Sequence, residues 1–372
     1  MGAGLAGTTA AAVLRRQGWR IILVDPSPTF PAVFKAEKIE PDQVALLRKF
    51  ELLGLLLPHA GSIREVRAYY NGRFFGTSST EQYGIYYGDM VNVLRAHLPS
   101  TVQFMPKRVV QIKNSADLQR VRLDDGQELT CRLVVLACGL NDTIPSSLGL
   151  KRSYIQKQQS VALAFNIARA DASSFDFDSI TYYSVSPRLG IDYLTLFPVS
   201  RSMRANLFAF PGENDRWVRK FIQDPMRGIQ NCFPELQRVI GKVEITSKVE
   251  NALVHLYHTE GEPPPGVAVI GDACANVCPS TGMGLTKIFT DVDVLSSRCV
   301  HSWFETAGMG IEKIASFFNH PDKRAVDSRA LENAFYRRQA SIGRSLRWRI
   351  HRAQLHISMR FKKPSVIASD RF

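Results

Sequence analysis

Glycines with the spacing GxGxxG open the chain, and an acidic residue follows them at the end of the next apolar run. Gly2, Gly4 and Gly7 form the triplet, and Asp25 ends "RIILVD". In a strand–turn–helix unit the first glycine permits the tight turn, the second lets the backbone approach a pyrophosphate, and the third allows close helix packing. The helix N-terminus then offers N–H groups to phosphate, and the acid contacts ribose hydroxyls. The spacing therefore predicts a dinucleotide site.

A second segment suited to binding lies far along the chain, in "VAVIGDACANVCPSTGMG" (267–284). Asp272 ends an apolar strand, where side chains of a parallel sheet face the ligand crevice. Pro279 stiffens the following loop, and Gly282 and Gly284 expose a helix N-terminus suited to electron-rich oxygens. We expect this segment to contact the same cofactor as the glycine turn.

No apolar strand precedes Gly2, although the glycine turn of such a unit normally follows a buried strand. We hypothesise that the natural start lies several residues upstream, or that the chain is a truncated form. Loss of a central strand would leave neighbouring N–H and C=O groups unpaired, at about 1–3 kcal/mol for each buried group.

Several aromatic residues and two histidines are further candidates for a substrate site. His255 and His258 could transfer protons, but isolated histidines are more often structural. An aromatic cavity could be lined by Tyr182, Tyr183, Tyr193 and Phe197, for which core packing is the alternative.

Six cysteines are scattered through the chain, which is not a disulfide framework. Cys274 and Cys278 could approach a cofactor and even bond to it covalently, but ordinary buried thiols are the commoner case. No second Cys or His pair completes a ligand set, so we predict no metal site. Reduced thiols and the lack of a signal peptide or long apolar run indicate a cytoplasmic protein.

The order of the remaining segments predicts an α/β fold. "TTAAAVLRRQG" predicts a helix after the glycine turn, and "GVAVIGD" predicts a strand that returns to the same sheet. Between them, alternating strands predominate, with Asn71-Gly72 as a strong hairpin signal and one helical stretch at about 214–240. The pattern predicts a Rossmann-like parallel sheet with an inserted, mostly antiparallel β domain and a helical C-terminus. The predicted domains are 1–150 and 262–310 for the cofactor, 151–261 for the substrate, and 311–372 for a helical basic segment.

Positive charge is concentrated in this C-terminal segment. Residues 313–372 contain 14 Lys/Arg and 4 Asp/Glu, which accounts for +10 of the formal net charge of +13. Apolar residues recur at helical spacing within it, at Ile342, Leu346, Ile350, Ala353 and Ile357. A basic amphipathic helix can lie on an anionic membrane or bind an acidic partner, whereas the alternative is a helix packed on the body with a solvated basic face. We find no recognition motif that would indicate nucleic-acid binding.

Together the two glycine-containing segments resemble the FAD-dependent monooxygenases of the aromatic-hydroxylase type, a superfamily that includes flavin-dependent halogenases. The resemblance covers roughly residues 2–310. It implies that Asp25 and the turn hold the ADP half of FAD, that Lys35 lies near the pyrophosphate, and that Asp272 contacts the ribityl hydroxyls. The cofactor-binding residues implied are Gly2, Gly4, Leu5, Ala6, Gly7, Asp25, Lys35, Asp272, Gly282, Met283 and Gly284, the last three at the pyrimidine edge of the flavin.

The resemblance implies a FAD-dependent oxidoreductase that inserts oxygen into a small organic substrate through a peroxide at the flavin C4a carbon. Many single-component hydroxylases carry Asp-Gly, Ser and Arg in the mid-chain segment, where this chain has Cys138, Asp142 and Pro145. The electron source is therefore NAD(P)H or a separate flavin reductase. Alternatives are a halogenase, although its Trp-x-Trp-x-Ile-Pro motif is absent, a lipid double-bond reductase, and a cofactor-free binding homologue.

Overall fold

The computed structural model describes residues 1–183, 189–210, 216–361 and 365–366 of the 372-residue chain. Residues 184–188 and 211–215 of the predicted β domain, and 362–364 and 367–372 of the basic segment, lie outside the described residues. The strands are β1 (Ile22–Val24), β2 (Lys38–Ile39), β3 (Gly61–Tyr70), β4 (Arg73–Gly84), β5 (Gln103–Met105), β6 (Val109–Lys113), β7 (Gln119–Leu123), β8 (Glu128–Cys131), β9 (Val134–Leu136), β10 (Lys151–Arg169), β11 (Ser179–Tyr183), β12 (Ile191–Val199), β13 (Ser202–Ala209), β14 (Val243–Ile245), β15 (Glu250–Glu260), β16 (Val267–Val269), β17 (Ala275–Asn276) and β18 (Ser365–Val366).

Helices follow the first glycine turn and dominate the C-terminal third. They are α1 (Leu5–Arg16), α2 (Pro41–Lys49), α3 (Leu53–Leu56), α4 (Tyr87–Ala96), α5 (Thr143–Ser147), α6 (Arg216–Gln223), α7 (Pro225–Cys232), α8 (Leu236–Ile240), α9 (Gly284–Val294), α10 (Val300–Glu305), α11 (Ile311–Phe318), α12 (Pro321–Ile342) and α13 (Leu346–Phe361). In the described residues no helix is long and apolar enough to cross a membrane.

Outside the large sheet, two separate parallel pairs are formed, β1 with β5 and β9 with β16. Met1 and Gly2 lie between the pairs. The amino group of Met1 donates to Val135 O at 2.8 Å, Ala137 N donates to Met1 O, and Gly2 N donates to Val24 O. The predicted Rossmann-like arrangement is confirmed, and the expected first strand is represented in this chain by these two residues alone.

A large, mostly antiparallel sheet carries the second part of the fold. Its strands follow the order β17-β15-β10-β13-β12-β11-β3-β4-β18, and β14 and β2 pair with β10 and β4. The β3–β4 hairpin turns at Asn71 and Gly72, which both have positive φ, as the sequence predicts. One sheet face packs on α6, α7 and α8 to form a core that includes Phe165 and Phe233.

The helix predicted at about 214–240 is three short helices in the described residues. Asp224 follows α6 and is the N-cap of α7. Its carboxylate accepts a hydrogen bond from Arg227 N at 3.1 Å. Pro225 occupies the first position of α7, where a missing N–H costs nothing. This Asp-Pro signal lies inside the apolar pattern from which a single helix was predicted.

Candidate active site

The three glycines of the turn differ in what surrounds them. Gly2 has φ +84°, and a Cβ there would lie 2.4 Å from Ala137 O. A Cβ on Gly7 would lie 1.9 Å from Gly2 O. A Cβ on Gly4 would approach only the Phe30 ring, at 3.7 Å. The fold therefore requires glycine at the first and third positions, whereas the second is left open for a ligand.

Helix α1 begins at this turn with groups suited to an anion. Gly4 is its N-cap without a capping side chain, and its first turn contains no acidic residue. The first N–H groups of a helix lack intrahelical partners, and they carry partial positive charge. Leu5 and Ala6 are buried in this first turn, so the predicted phosphate-binding residues lie together.

The carboxylate of Asp25 lies next to the glycine turn, as predicted. It accepts hydrogen bonds from Ala3 N at 2.7 Å and Ser27 N at 2.9 Å. Arg95, which the sequence did not reveal, donates to Ala3 O at 2.6 Å and Ser27 O at 2.8 Å. Its Nη2 lies 3.8 Å from Asp25 Oδ2 and is buried, with no hydrogen-bond partner among the residues that the structure describes. Burial lowers the pKa of Arg95, opposed by the charge of Asp25.

Lys35 and Asp272 form an ion pair across 237 positions of sequence, with 3.0 Å between Nζ and Oδ2. Burial alone would lower the pKa of Lys35, but the charge of Asp272 outweighs it and raises the pKa. Lys35 also lies 5.5 Å from the ring centre of Tyr87, whose hydroxyl is hydrogen-bonded to the backbone of Leu5. Burial raises the pKa of Tyr87 to about 12. Two predicted cofactor residues thus meet at the start of α1.

The loop before α9 brings the last three predicted residues together. Gly282 has φ +69°, and a Cβ on Gly284 would meet nothing within 4 Å. Met283 is buried against Val326 and Ala330 of α12. From α2, Gln43 Nε2 donates to Gly282 O at 2.9 Å and to Thr286 Oγ1 at 3.0 Å. Gln43 was missed because a lone glutamine in a helical pattern carries no motif.

A buried ionic network contacts the Gly271-Asp272 segment through the Gly271 N–H. Asp291 of α9 accepts from Gly271 N at 2.8 Å and from Lys323 Nζ of α12 at 2.7 Å. Lys287 lies 3.4 Å from Asp291 and 2.7 Å from Asp327. Lys323 also pairs with Asp327 at 3.1 Å. The four charges therefore fix α9 and α12 to each other and to the residue that precedes Asp272.

Arg204 is a buried guanidinium on the sheet face opposite α6, α7 and α8. It is 1% exposed and donates to both carboxylate oxygens of Glu37, at 2.8 and 2.9 Å, and to Glu250 at 2.5 Å. Burial would lower the pKa of Arg204, but the pairing with Glu37 raises it. The ion pair joins the 35–40 segment to the sheet, and no sequence motif indicated it.

Strand register defines what we call the polar face, the face that carries Arg204. Its middle row consists of short side chains across β10, β13, β12 and β11, namely Ala164, Asn206, Thr195 and Thr181. On one side runs an aromatic row, Phe208, Tyr193 and Tyr183. On the other side lie Asn166 and Arg204. The row therefore places short, buried side chains between aromatic rings and charged groups.

The four predicted substrate-cavity residues do not share one site. Tyr183 and Tyr193 are neighbours on the polar face, with ring centres 5.9 Å apart, and Tyr193 Oη donates to Ser280 O at 2.9 Å. Tyr182 points to the opposite face and packs on Phe233 in the core. Phe197 pairs with Arg204 at the far side of the polar face from the tyrosines, but it is fully buried in a cluster with Ile63. Core packing, the alternative for these residues, therefore describes Tyr182 and Phe197.

The histidine and cysteine candidates lie among structural contacts. His255 Nδ1 accepts from Gln158 N at 2.9 Å, and His258 lies 2.7 Å from Glu260 in an exposed pair. Cys278 is fully buried, 3.4 Å from Ser160 Oγ. Cys274 is buried in the core near β9 and β16.

The mid-chain segment that departs from the hydroxylase pattern lies near Tyr257. Cys138 Sγ donates to Asn141 O at 3.1 Å, and burial raises the pKa of this thiol. Arg152 lies 4.2 Å from the ring centre of Tyr257 and donates to Leu140 O at 3.0 Å. Tyr257 Oη in turn donates to Asp272 O at 2.7 Å. The guanidinium in this region belongs to Arg152 of β10. The position where the resemblance implies an arginine holds Pro145.

Comparison with known proteins gives a consistent result. Residues 1–298 match the family model described as "FAD binding domain". The 6-hydroxynicotinate 3-monooxygenase of Pseudomonas fluorescens is 22% identical over 331 residues, which cover 81% of each chain. The p-nitrophenol 4-monooxygenase PnpA of Pseudomonas putida DLL-E4 superposes with a TM-score of 0.73 at 15% identity, over 97% of this chain and 93% of that one. HpxO of Klebsiella pneumoniae, solved with FAD and uric acid, gives 0.73 at 17% identity, over 97% and 92%.

Proposed function

The chain belongs to the FAD binding domain family, and we propose that this FAD-dependent monooxygenase inserts oxygen into a small aromatic molecule held on the polar face. The monooxygenase prediction is supported by the named relatives, whereas the halogenase, lipid-reductase and cofactor-free alternatives are not. Bound reduced flavin would supply the oxygen activation, so the chain needs no catalytic triad.

The residues present fit FAD. Gly4 and Gly284 leave open backbone at two helix N-termini, where phosphate and flavin oxygens would find N–H donors. The buried Nη2 of Arg95, which has no hydrogen-bond partner in the described part of the chain, lies beside Asp25, where the ribose would bind. Lys35 offers positive charge at the start of α1. We therefore assign the ADP half to the first turn and the flavin to the loop at 282–284.

The short row of the polar face carries the substrate proposal. Asn206 hydrogen-bonds Glu37, and its Oδ1 is buried without a partner among the described residues. An unpartnered acceptor of this kind is stabilised by a ligand that brings a donor. The rings of Tyr193 and Phe208 lie beside it, with ring centres 4.9 Å apart. We propose a small aromatic substrate that carries a hydroxyl or N–H group, as the name of the Pseudomonas fluorescens relative indicates for its own substrate.

Filling this row tests the proposal. Thr195→Leu is expected to reduce substrate oxygenation at least tenfold, because a larger side chain in the short row would exclude a ligand between the rings and Asn206. Thr130→Leu makes the same change on exposed β8 and should leave oxygenation unchanged. Bound flavin is read from absorbance bands near about 370 and 450 nm. Oxygenation of 6-hydroxynicotinate and simple phenols is followed by mass spectrometry with isotopically labelled dioxygen. Full activity of Thr195→Leu, or protein without flavin bands, would refute this function.

We further propose that a separate flavin reductase supplies electrons. The support is the mid-chain segment, where Cys138 stands at the position of the hydroxylase aspartate and Pro145 at that of the arginine. We also propose that the basic C-terminal segment contacts an anionic surface, either a membrane or an acidic partner, because it carries most of the net positive charge.

A further inference from the structure

Helix α13 presents two different sides. At 100° per residue, its apolar positions Leu346, Ile350, Ala353 and Ile357 fall within a sector of about 60°. We call these four residues the apolar stripe. The opposite side contacts the body through Trp348, which packs edge-to-face against Tyr336 of α12 with ring centres 5.7 Å apart, and through Arg352, which donates to Gly343 O at 2.6 Å.

The apolar stripe faces solvent. Leu346 is 69% exposed, Ile350 47% and Ile357 57%. One alternative from the sequence was that this helix packs its apolar side on the body and exposes its basic side to solvent. The structure shows the reverse arrangement, because polar and aromatic groups make the contact with α12 and the stripe is left uncovered. An amphipathic helix arranged in this way lacks a partner for its apolar side.

Positive charge flanks the stripe without opposing acidic residues. Arg349 lies on one side of it and Arg347 on the other, and Arg344 precedes the helix. Between Glu332 and Asp370 the chain has nine Lys/Arg and no Asp or Glu. In the part of the chain that the structure describes, these three arginines form no ion pair.

We propose that α13 binds peripherally to an anionic lipid bilayer, with the apolar stripe in the acyl boundary and the flanking arginines among the headgroups. A bilayer satisfies both sides of this helix, because it combines anionic charge with an apolar layer at the depth that an interfacial helix reaches. A nucleic acid would offer charge without an apolar layer. This surface is independent of the oxygenation chemistry, so either can fail without the other.

Vesicle binding by the full chain tests the inference. Protein is sedimented with vesicles of phosphatidylcholine alone or of phosphatidylcholine mixed with phosphatidylglycerol, at low and high salt. We expect binding to the anionic vesicles, at least tenfold weaker binding to the neutral ones, and weakening by salt. Combined Arg344→Gln, Arg347→Gln and Arg349→Gln should weaken binding by about fivefold for each arginine.

The combined stripe variant, Leu346→Ser, Ile350→Ser and Ile357→Ser, should lose at least tenfold in binding while its thermal unfolding stays unchanged, because these side chains are exposed. The matched control replaces exposed leucines elsewhere, Leu57→Ser, Leu118→Ser and Leu253→Ser, and should bind like the parent. Failure of the parent chain to bind anionic vesicles would overturn the inference. Binding that the stripe variant retains in full would also overturn it, because charge alone would then account for the attachment.

Discussion

At the scale of single residues, the GxGxxG spacing has two separate causes. Gly2 and Gly7 are required by the protein itself, since a Cβ on either would overlap a backbone oxygen. Gly4 has no such neighbour, yet its backbone lies at the N-terminus of α1, where a phosphate would approach. The motif therefore divides into two glycines that the fold requires and one glycine that we assign to cofactor binding.

This division predicts different outcomes for two equal substitutions. Gly7→Ala should lower the free energy of unfolding by at least about 2 kcal/mol, because the new Cβ would meet the Gly2 carbonyl oxygen. Gly4→Ala should change it by less than about 1 kcal/mol, since φ −69° suits alanine. It should nevertheless weaken FAD binding at least tenfold, measured by titration of the apoprotein.

Gly54→Ala is the matched control, because a Cβ there meets nothing within 4 Å and the residue lies in α3. It should leave FAD affinity unchanged. If Gly4→Ala bound FAD as tightly as the parent chain, the phosphate would not approach Gly4, and the cofactor assignment at this turn would be wrong.

At the scale of elements, α9 is held by α12. Helix α9 follows the loop at 282–284, which we assign to the flavin and call the cofactor loop. The network of Lys287, Asp291, Lys323 and Asp327 is the link, and Asp291 extends it to Gly271 N. Burial alone would raise the pKa of Asp327, but Lys287 and Lys323 outweigh it and lower the pKa from 3.8. The pairing with Asp291 raises the pKa of Lys323 despite its burial. Asp327 and Lys323 are thus both charged at neutral pH.

Asp327→Asn should destabilise the protein by about 2 kcal/mol at neutral pH, because one carboxylate then faces two buried ammonium groups. The folded-state pKa of Asp327 is depressed, so its contribution is present above the unfolded value of 3.8 and is lost as pH falls through the folded value. The difference in unfolding free energy between parent and variant should therefore shrink below about pH 4.

Asp293→Asn on the same helix is the control. Its partner Lys49 is half exposed, so its removal should cost less than about 1 kcal/mol. Equal denaturant midpoints for the parent and Asp327→Asn at neutral pH would show that the network does not hold α9 in place.

Features encoded by neighbouring residues were predictable, and those that depend on distant pairs were not. The glycine turn and the Asn71-Gly72 hairpin follow from local backbone chemistry. The Arg204–Glu37 pair joins positions 167 apart, and no local signal marks either residue as buried. Periodicity also predicted the apolar stripe of α13. It did not predict that Trp348 and Arg352 would contact the body while the stripe stays uncovered.

At the scale of the whole molecule, the 35–43 segment connects the two parts of the fold. Lys35 reaches Asp272 at the parallel sheet, Glu37 reaches Arg204 on the large sheet, and Gln43 reaches Gly282 in the cofactor loop. The residues that we assign to the cofactor and to the substrate are therefore positioned by one short stretch of chain. The mid-chain segment around Cys138 has no comparable set of cations for a second, anionic nucleotide: among the described residues there, Arg152 is already engaged with Tyr257 and the Leu140 carbonyl.

This arrangement predicts that flavin bound to the protein accepts electrons poorly from NADPH or NADH alone. Oxygenation supported by free FAD, NADH and a flavin reductase should exceed that with either nucleotide alone by at least tenfold, since reduced flavin then arrives from solution. Keeping the reductase behind a dialysis membrane should preserve the activity, because only the small flavin has to cross. Anaerobic loss of the band near about 450 nm measures flavin reduction directly. Rapid bleaching by NADPH alone would show that the chain reduces its own flavin, and that Cys138 and Pro145 are compatible with nicotinamide binding.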